Sequence, residues 1–209
     1  MRSSEKTRVV KVSADRPDGR AITRAAAIIR SGGLVGFPTE TVYGIAANPL
    51  NGRAMARLYA VKKRPRGKPF TVHISDLAAI EKMGCAITKE AWALIGKFWP
   101  GPLTIILKTR TGRKIGFRMP DNCVALELLR KAGVPVVAPS ANLSGEEPPR
   151  TAGSVLRSMD GKLDLLIDAG PASVGIESTV VDLTRGRPKI LREGAIRGSL
   201  IMKAARSNG

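Results

Sequence analysis

The sequence predicts an α/β fold, a twisted, open, mixed sheet with flanking helices, and three observations carry that expectation. Short β-branched runs alternate with amphipathic stretches along the chain, the pattern of a sheet layered with helices. The stretch 101–118 reads extended, turn, extended, and 163–193 is rich in strand pattern. Neither supplies the crossover helix that every parallel pair needs, so the sheet is not all-parallel. No internal repeat or low-complexity linker interrupts the 209 residues, 43% of them apolar. That content suits one substantial core. A single domain over 1–209 is expected, with its core at about 20–196 and a loosely held basic tail at 199–209.

The elements follow in order. Residues 21–31 form an alanine- and isoleucine-rich helix, stopped by Gly32-Gly33. Leu34 to Phe37 is a short buried strand running into Pro38, and 52–61 is a helix with Met55, Leu58 and Tyr59 on one side. Phe70 to Ile74 reads as a strand, and 76–83 as a short helix with Asp76 near its start. Lys89 to Phe98 is helical and closes at Trp99-Pro100-Gly101-Pro102; Leu103 to Leu107 is extended. Residues 121–132 make an amphipathic helix with Asp121 or Asn122 as cap and Gly133 as stop. Val134 to Ala138, Leu163 to Ile167, Thr179 to Leu183 and Lys189 to Leu191 complete the strands.

Charge narrows the function. Thirty-five Lys and Arg against 17 Asp and Glu give +18, a field that draws in nucleotides and RNA. Cys85 and Cys123 lack metal-like spacing, and the single histidine, His73, excludes a zinc-hydrolase HExxH or a deaminase site. No apolar run approaches the ~20 residues that cross a bilayer, and residues 1–20 lack a secretory apolar region. A cytoplasmic protein without a membrane partner is expected. Neither GxxxxGK[ST] nor a GxGxxG opening a helix is present. If ATP binds, side-chain cations and hydroxyls must do what backbone amides do in those folds.

Such side chains are concentrated in four segments. Five cations fall within Lys62-Lys63-Arg64-Pro65-Arg66-Gly67-Lys68, a density that must face water or an anion unless each charge finds a partner; His73 lies five residues further on. Pro38-Thr39-Glu40-Thr41-Val42-Tyr43-Gly44 and Pro139-Ser140-Ala141-Asn142-Leu143-Ser144-Gly145 are polar strand exits, where open α/β sheets place ligands. Asp168 to Pro171 and Gly175 to Thr179 form the fourth. Hydroxyl and amide residues at strand ends also cap their own turns, so no single loop decides. Arg118 and Arg192 each follow apolar neighbours, and a guanidinium emerging from such a place needs a fixed anion. Together these features point to a converging anion pocket.

Taken together the segments resemble the threonylcarbamoyl-AMP synthases, the YrdC-like family. The matching residues are Pro38 to Gly44; Tyr59, Lys62, Arg64-Pro65 and Lys68-Pro69-Phe70; Trp99 to Thr104; Gly116, Arg118 and Pro120; Ser140 to Gly145; Gly175 and Glu177 to Asp182; and Arg192 and Gly194. They run in family order across about 20–196. The resemblance implies a large basic concave cavity on the α/β fold and, from the chain's length, the short single-domain form. It implies formation of L-threonylcarbamoyladenylate and pyrophosphate from L-threonine, bicarbonate and ATP, with Mg²⁺ accompanying the ATP. A separate transferase would then modify A37 of tRNAs reading ANN codons, with direct tRNA contact left open.

Carried over by motif, Thr39, His73, Arg118 and Ser178 would hold threonine. Lys62, Arg64, Lys68, Ser140, Asn142 and Arg192 would contact ATP, and Lys62, Arg64 and His73 are the catalytic candidates; no metal ligands are assigned. Two departures from the family pattern stand out: Asn122 where a His is common, and Pro148-Pro149-Arg150-Thr151 in place of Ser-Pro-Thr. Two other readings compete. A non-enzymatic RNA-binding module would need only the charge, leaving the hydroxyl-and-amide set without purpose. A carbamoyl-adenylate former of the hydrogenase-maturation type would need accessory regions that the sequence does not show.

Overall fold

The protein is described by a computed structural model covering residues 6–185 and 187–206. The chain runs β1 (Arg8–Lys11), α1 (Gly19–Arg30), β2 (Val35–Phe37), β3 (Gly44–Ala46), α2 (Gly52–Lys62), β4 (Val72–His73), α3 (Ala78–Lys82), α4 (Lys89–Phe98) and β5 (Leu103–Lys108). It continues β6 (Lys114–Arg118), α5 (Cys123–Ala132), β7 (Val136–Val137), α6 (Ala152–Met159), β8 (Leu165–Asp168), β9 (Thr179–Asp182), β10 (Lys189–Arg192) and α7 (Gly198–Arg206).

Local chemistry sets the helix ends. Asn51, Thr88 and Asn122 accept a backbone N–H through their side chains at the starts of α2, α4 and α5, satisfying donors the helix leaves free. Gly32 and Gly133, at φ +89° and +63°, take the left-handed turn that ends α1 and α5. Asn122, the departure from the family pattern, is therefore used as a helix cap.

The strands form two mixed sheets where one was expected: β1-β8-β2-β3 and β10-β9-β5-β6-β4-β7. They meet at a seam where Ala47 and Val137 exchange hydrogen bonds of 2.9 and 3.0 Å and Gly44 bridges Ser140. Polar residues at 38–41 and small ones at 44–46 hid β3, which runs antiparallel to β2 with Phe37 opposite Gly44. Two hydrophobic cores result. One joins Tyr43, Leu58, Leu94, Ile105 and Phe117; the other packs α1 and α5 over Phe37 through Ile22, Ile29 and Leu128. Strand β8 serves both, Leu166 in the first and Leu165 and Ile167 in the second, because alternate side chains leave opposite faces.

The expected loose tail is corrected. Through Arg206 it is helix α7, packed on α4 with Ile201 and Ala204 buried; residues 207–209 of that expectation lie outside the described residues. Ile201 and Ala204 are three apart and form an apolar stripe that basic composition masked. Helix α6 was also missed: its Thr151 cap and capping-box partner Ser154 begin a helix that buries Ala152, Val155 and Met159.

Candidate active site

Strand pairing brings the predicted residues together. β4 runs parallel to β6 with His73 beside Arg118, and β5 runs parallel to β9 with Leu103 beside Thr179. Thr104 and Ser178 therefore meet, their hydroxyls 2.9 Å apart. Arg192 at the end of β10 reaches back, and Ser140 follows β7 at the seam. Thr39, Arg64, His73, Arg118, Ser140, Ser178 and Arg192 all line one cavity of about 140 Å³. A contiguous hollow of about 340 Å³ shares Arg64, Ser140 and Glu177 with it and adds Lys62, Lys68 and Asn142. The basic segment itself follows helix α2 rather than a strand, unlike the other three loops.

Arg118 and His73 are deeply placed. The Arg118 side chain, 6% exposed, lies 2.8 Å from Glu40 Oε1. The pair is close but poorly aligned for hydrogen bonding, and both Glu40 carboxylate oxygens lack hydrogen-bond partners among the described residues. Arg118 Nε donates to the Gly101 carbonyl at 3.3 Å. Burial pulls the guanidinium below its ordinary range, while Glu40 pulls it back up. His73 is pushed down to about 3, first by burial and then by Arg118, so its imidazole is neutral at any physiological pH. A ring that weakly basic is a hydrogen-bonding group and a poor proton acceptor. Its Nδ1 has no protein partner among the described residues.

The cations divide into braced and open groups. Lys62, 3% exposed, donates to the carbonyls of Ser140 at 2.6 Å and Asn142 at 2.5 Å and to Asn142 Oδ1 at 3.2 Å. Those acceptors engage all three ammonium protons. Burial and then Arg64 lower Lys62 to about 8. Of the five clustered charges this one points inward and anchors the 140–142 loop; Asn142 completes the anchor by donating to the Glu146 carbonyl at 2.6 Å. Arg64 lies over the Phe70 ring at 5.0 Å, and its Nε and Nη2 donate to the carbonyls of Lys68 and Pro69 at 3.1 and 3.0 Å. Lys68 is exposed at the rim. Arg192 holds the Ser178 carbonyl at 2.9 and 3.1 Å and Glu177 Oε1 at 2.8 Å.

Thr39 behaves as strand-end hydroxyls commonly do. Its Oγ1 donates to the Val42 carbonyl at 2.7 Å and accepts the amides of Thr41 and Val42, shaping the loop that forms the cavity wall. Thr151 is occupied in capping α6. Tyr43, Thr104 and Glu177, which line the cavity, and Glu40, buried against Arg118, were missed. Tyr43 is buried and pushed up to about 12, chiefly by burial; its hydroxyl donates to the Gly170 carbonyl at 2.6 Å. The available signal was local: a carboxylate between two threonines at a strand exit, and another beside Ser178.

Ser178 Oγ contacts Thr104 and Arg192, which is not an activated-serine arrangement. What the site offers is a neutral-to-zwitterionic corner at Glu40, Arg118, His73 and Ser178, next to an electropositive stretch at Arg64, Lys68 and Arg192. Such a surface orients two ligands of different charge and screens their repulsion.

Comparison with known proteins places this cleft in context. The Sua5_yciO_yrdC family profile, described as telomere recombination, matches residues 27–194. A threonylcarbamoyl-AMP synthase of Bacillus subtilis is 40% identical over 185 residues, covering 84% of this chain and 54% of that protein. The chain thus spans about half the length of that relative. The crystal structure of Pyrococcus abyssi Sua5 complexed with L-threonine superposes with a TM-score of 0.89 at 37% identity, covering 97% of this chain and 62% of the other. Escherichia coli YciO superposes with a TM-score of 0.79 at 29% identity, covering 90% and 96% of the two chains.

Proposed function

The chain belongs to the Sua5–YciO–YrdC family, and on that premise we propose that it makes L-threonylcarbamoyladenylate and pyrophosphate from L-threonine, bicarbonate and ATP. One observation carries the reading: the amino-acid-side residues and the phosphate-side cations share a single cleft. The threonine amine and bicarbonate condense with loss of water to N-carboxy-threonine. A carboxylate oxygen of that carbamate attacks the α-phosphorus, and the bond to the β-phosphate oxygen breaks to release pyrophosphate. Nucleophile and target are both anionic, so fixed positive charge must offset their repulsion.

In this reading Arg118 receives the threonine carboxylate, while the neutral His73 and Ser178 orient its polar groups. Arg64, Lys68 and Arg192 take the phosphates. Ser140 sits where the two hollows join, on the loop that Lys62 and Asn142 hold in place. Confinement in the cleft protects a carbamate that decomposes readily in water. Magnesium is assigned to the nucleotide, arriving as MgATP: Glu40 is buried against Arg118, and among the described residues the carboxylates lining the phosphate side are Glu177 and, at its outer edge, Glu146. Among the described residues no group of three His, Cys, Asp or Glu gathers to hold a metal.

Downstream, a separate transferase would pass the threonylcarbamoyl group to A37 of ANN-reading tRNAs, and the +18 charge supports direct contact with tRNA. Two unpaired cysteines support a cytoplasmic setting; no helix among the described residues is long and apolar enough to cross a membrane. Mass spectrometry of reactions with threonine supplied and withheld tests the activity. The adenylate should form only with threonine. Salt-sensitive RNA binding with no such product would favour a binding module instead.

A further inference from the structure

Two arginine–carboxylate pairs, each at 2.8 Å, stand at the cleft; Arg192, Glu177 and Arg118 line it, whereas Glu40 is buried behind Arg118. Arg192 and Glu177 are 42% and 34% exposed, so water screens them and an arriving anion can displace the carboxylate. Arg118 and Glu40 are 6% and 5% exposed. Glu40 is further tied through its backbone, whose carbonyl accepts the Val174 amide at 2.7 Å. Its carboxylate oxygens are buried and meet no well-aligned hydrogen-bond donor among the described residues, Arg118 Nη2 lying 2.8 Å from Oε1. At 2.8 Å the carboxylate holds Arg118 in its charged form and offsets that charge. The neighbouring His73 is neutral and adds no charge of its own.

We propose that Glu40 is a positioning residue that sets specificity, neutralising Arg118 so that this corner accepts a zwitterionic amino acid and turns phosphate away. This rests on the reading of Arg118 as the amino-acid subsite. Without Glu40, a cleft lined by Arg64, Arg118 and Arg192 would offer polyanions a second seat, in competition with the amino acid. With it, the positive field is confined to the Arg64, Lys68 and Arg192 side.

Calorimetric titration tests this with L-threonine and inorganic phosphate on the wild-type chain, Glu40→Gln and Glu40→Asp, each checked by thermal melting. Glu40→Gln should bind phosphate about tenfold more tightly, the scale of one uncompensated unit charge acting across a hydrated cleft. Its threonine affinity should fall when phosphate is added, while the wild type and Glu40→Asp hold theirs. Equal phosphate affinity and equal competition in wild type and Glu40→Gln would overturn the proposal. So would displacement of threonine from the wild type by phosphate, a result that needs no variant to fold. A wild type that binds no threonine strikes at the functional reading instead, and the phosphate titration still reports on Glu40.

Discussion

Acid should destabilise this protein through His73, and the size of the effect follows from the ring's surroundings. Burial and the Arg118 guanidinium hold the imidazole at about 3, against an ordinary value of roughly 6.5 in an unfolded chain. Between those values the unfolded chain takes up a proton that the folded chain refuses. The folded pKa is depressed, so the stabilisation is complete above the unfolded value and is lost as pH falls toward the folded one. At ~1.4 kcal/mol per pH unit, His73 alone removes about 2 kcal/mol by pH 5 and about 5 kcal/mol at the limit. Domains of this kind have some 5–15 kcal/mol in all. Urea unfolding from pH 7.5 to 5, in wild type and His73→Gln, isolates the contribution from carboxylates common to both. The wild type should lose roughly 2 kcal/mol more than the variant over that range. As the chain has one histidine, a single imidazole NMR resonance reports the same event and should stay unshifted to pH 5. Parallel losses in the two proteins, or a resonance titrating near 6.5, would falsify the reasoning.

Other outcomes follow from the same geometry. Lys62 is lowered to about 8, so as pH rises past that value its ammonium deprotonates and releases the 140–142 loop; turnover should decline on that basic limb, and Lys62→Arg should move the limb upward in a pH–rate profile. Replacing Arg64 or Arg118 by Gln should lower adenylate formation ~100-fold, as removal of one preorganised donor does elsewhere, and unchanged rates in both would misplace the pocket. Gly194→Ala should disrupt folding and activity together, because its methyl would overlap the Glu177 carbonyl oxygen and lie 2.6 Å from the Ser178 carbonyl carbon; a normal melt with normal turnover would contradict that packing. Ile201→Ala should reduce stability by about 2–5 kcal/mol in urea melts, since it empties a buried position.

Some of this architecture could be read directly from residues. Asn122 and Gly133 bracket α5 as their capping chemistry requires. Arg118 and Arg192 revealed themselves because guanidinium groups beside apolar neighbours need anions. What stayed hidden depends on contacts between distant parts of the chain. Glu40 looked like one more polar loop residue until β6 carried Arg118 to it. Lys62 was masked by its neighbours: charge density shows that a loop is basic, not which of its side chains turns inward to meet two carbonyls. The division into two sheets was equally invisible, since β3 is three small or apolar residues whose strand character comes from pairing with β2. Thr39 lines the cleft while its hydroxyl also holds its own turn together, two roles that residue type alone does not separate.

The junction between the sheets lies directly under the cleft. Thr39, Tyr43 and Gly44 approach from the β2–β3 side, and His73, Arg118 and Ser178 from the other. Ligands lodged there touch both sheets and add contacts across a seam that Tyr43 and β8 already bridge. Substrate occupancy and the rigidity of the whole chain are thereby joined in one place.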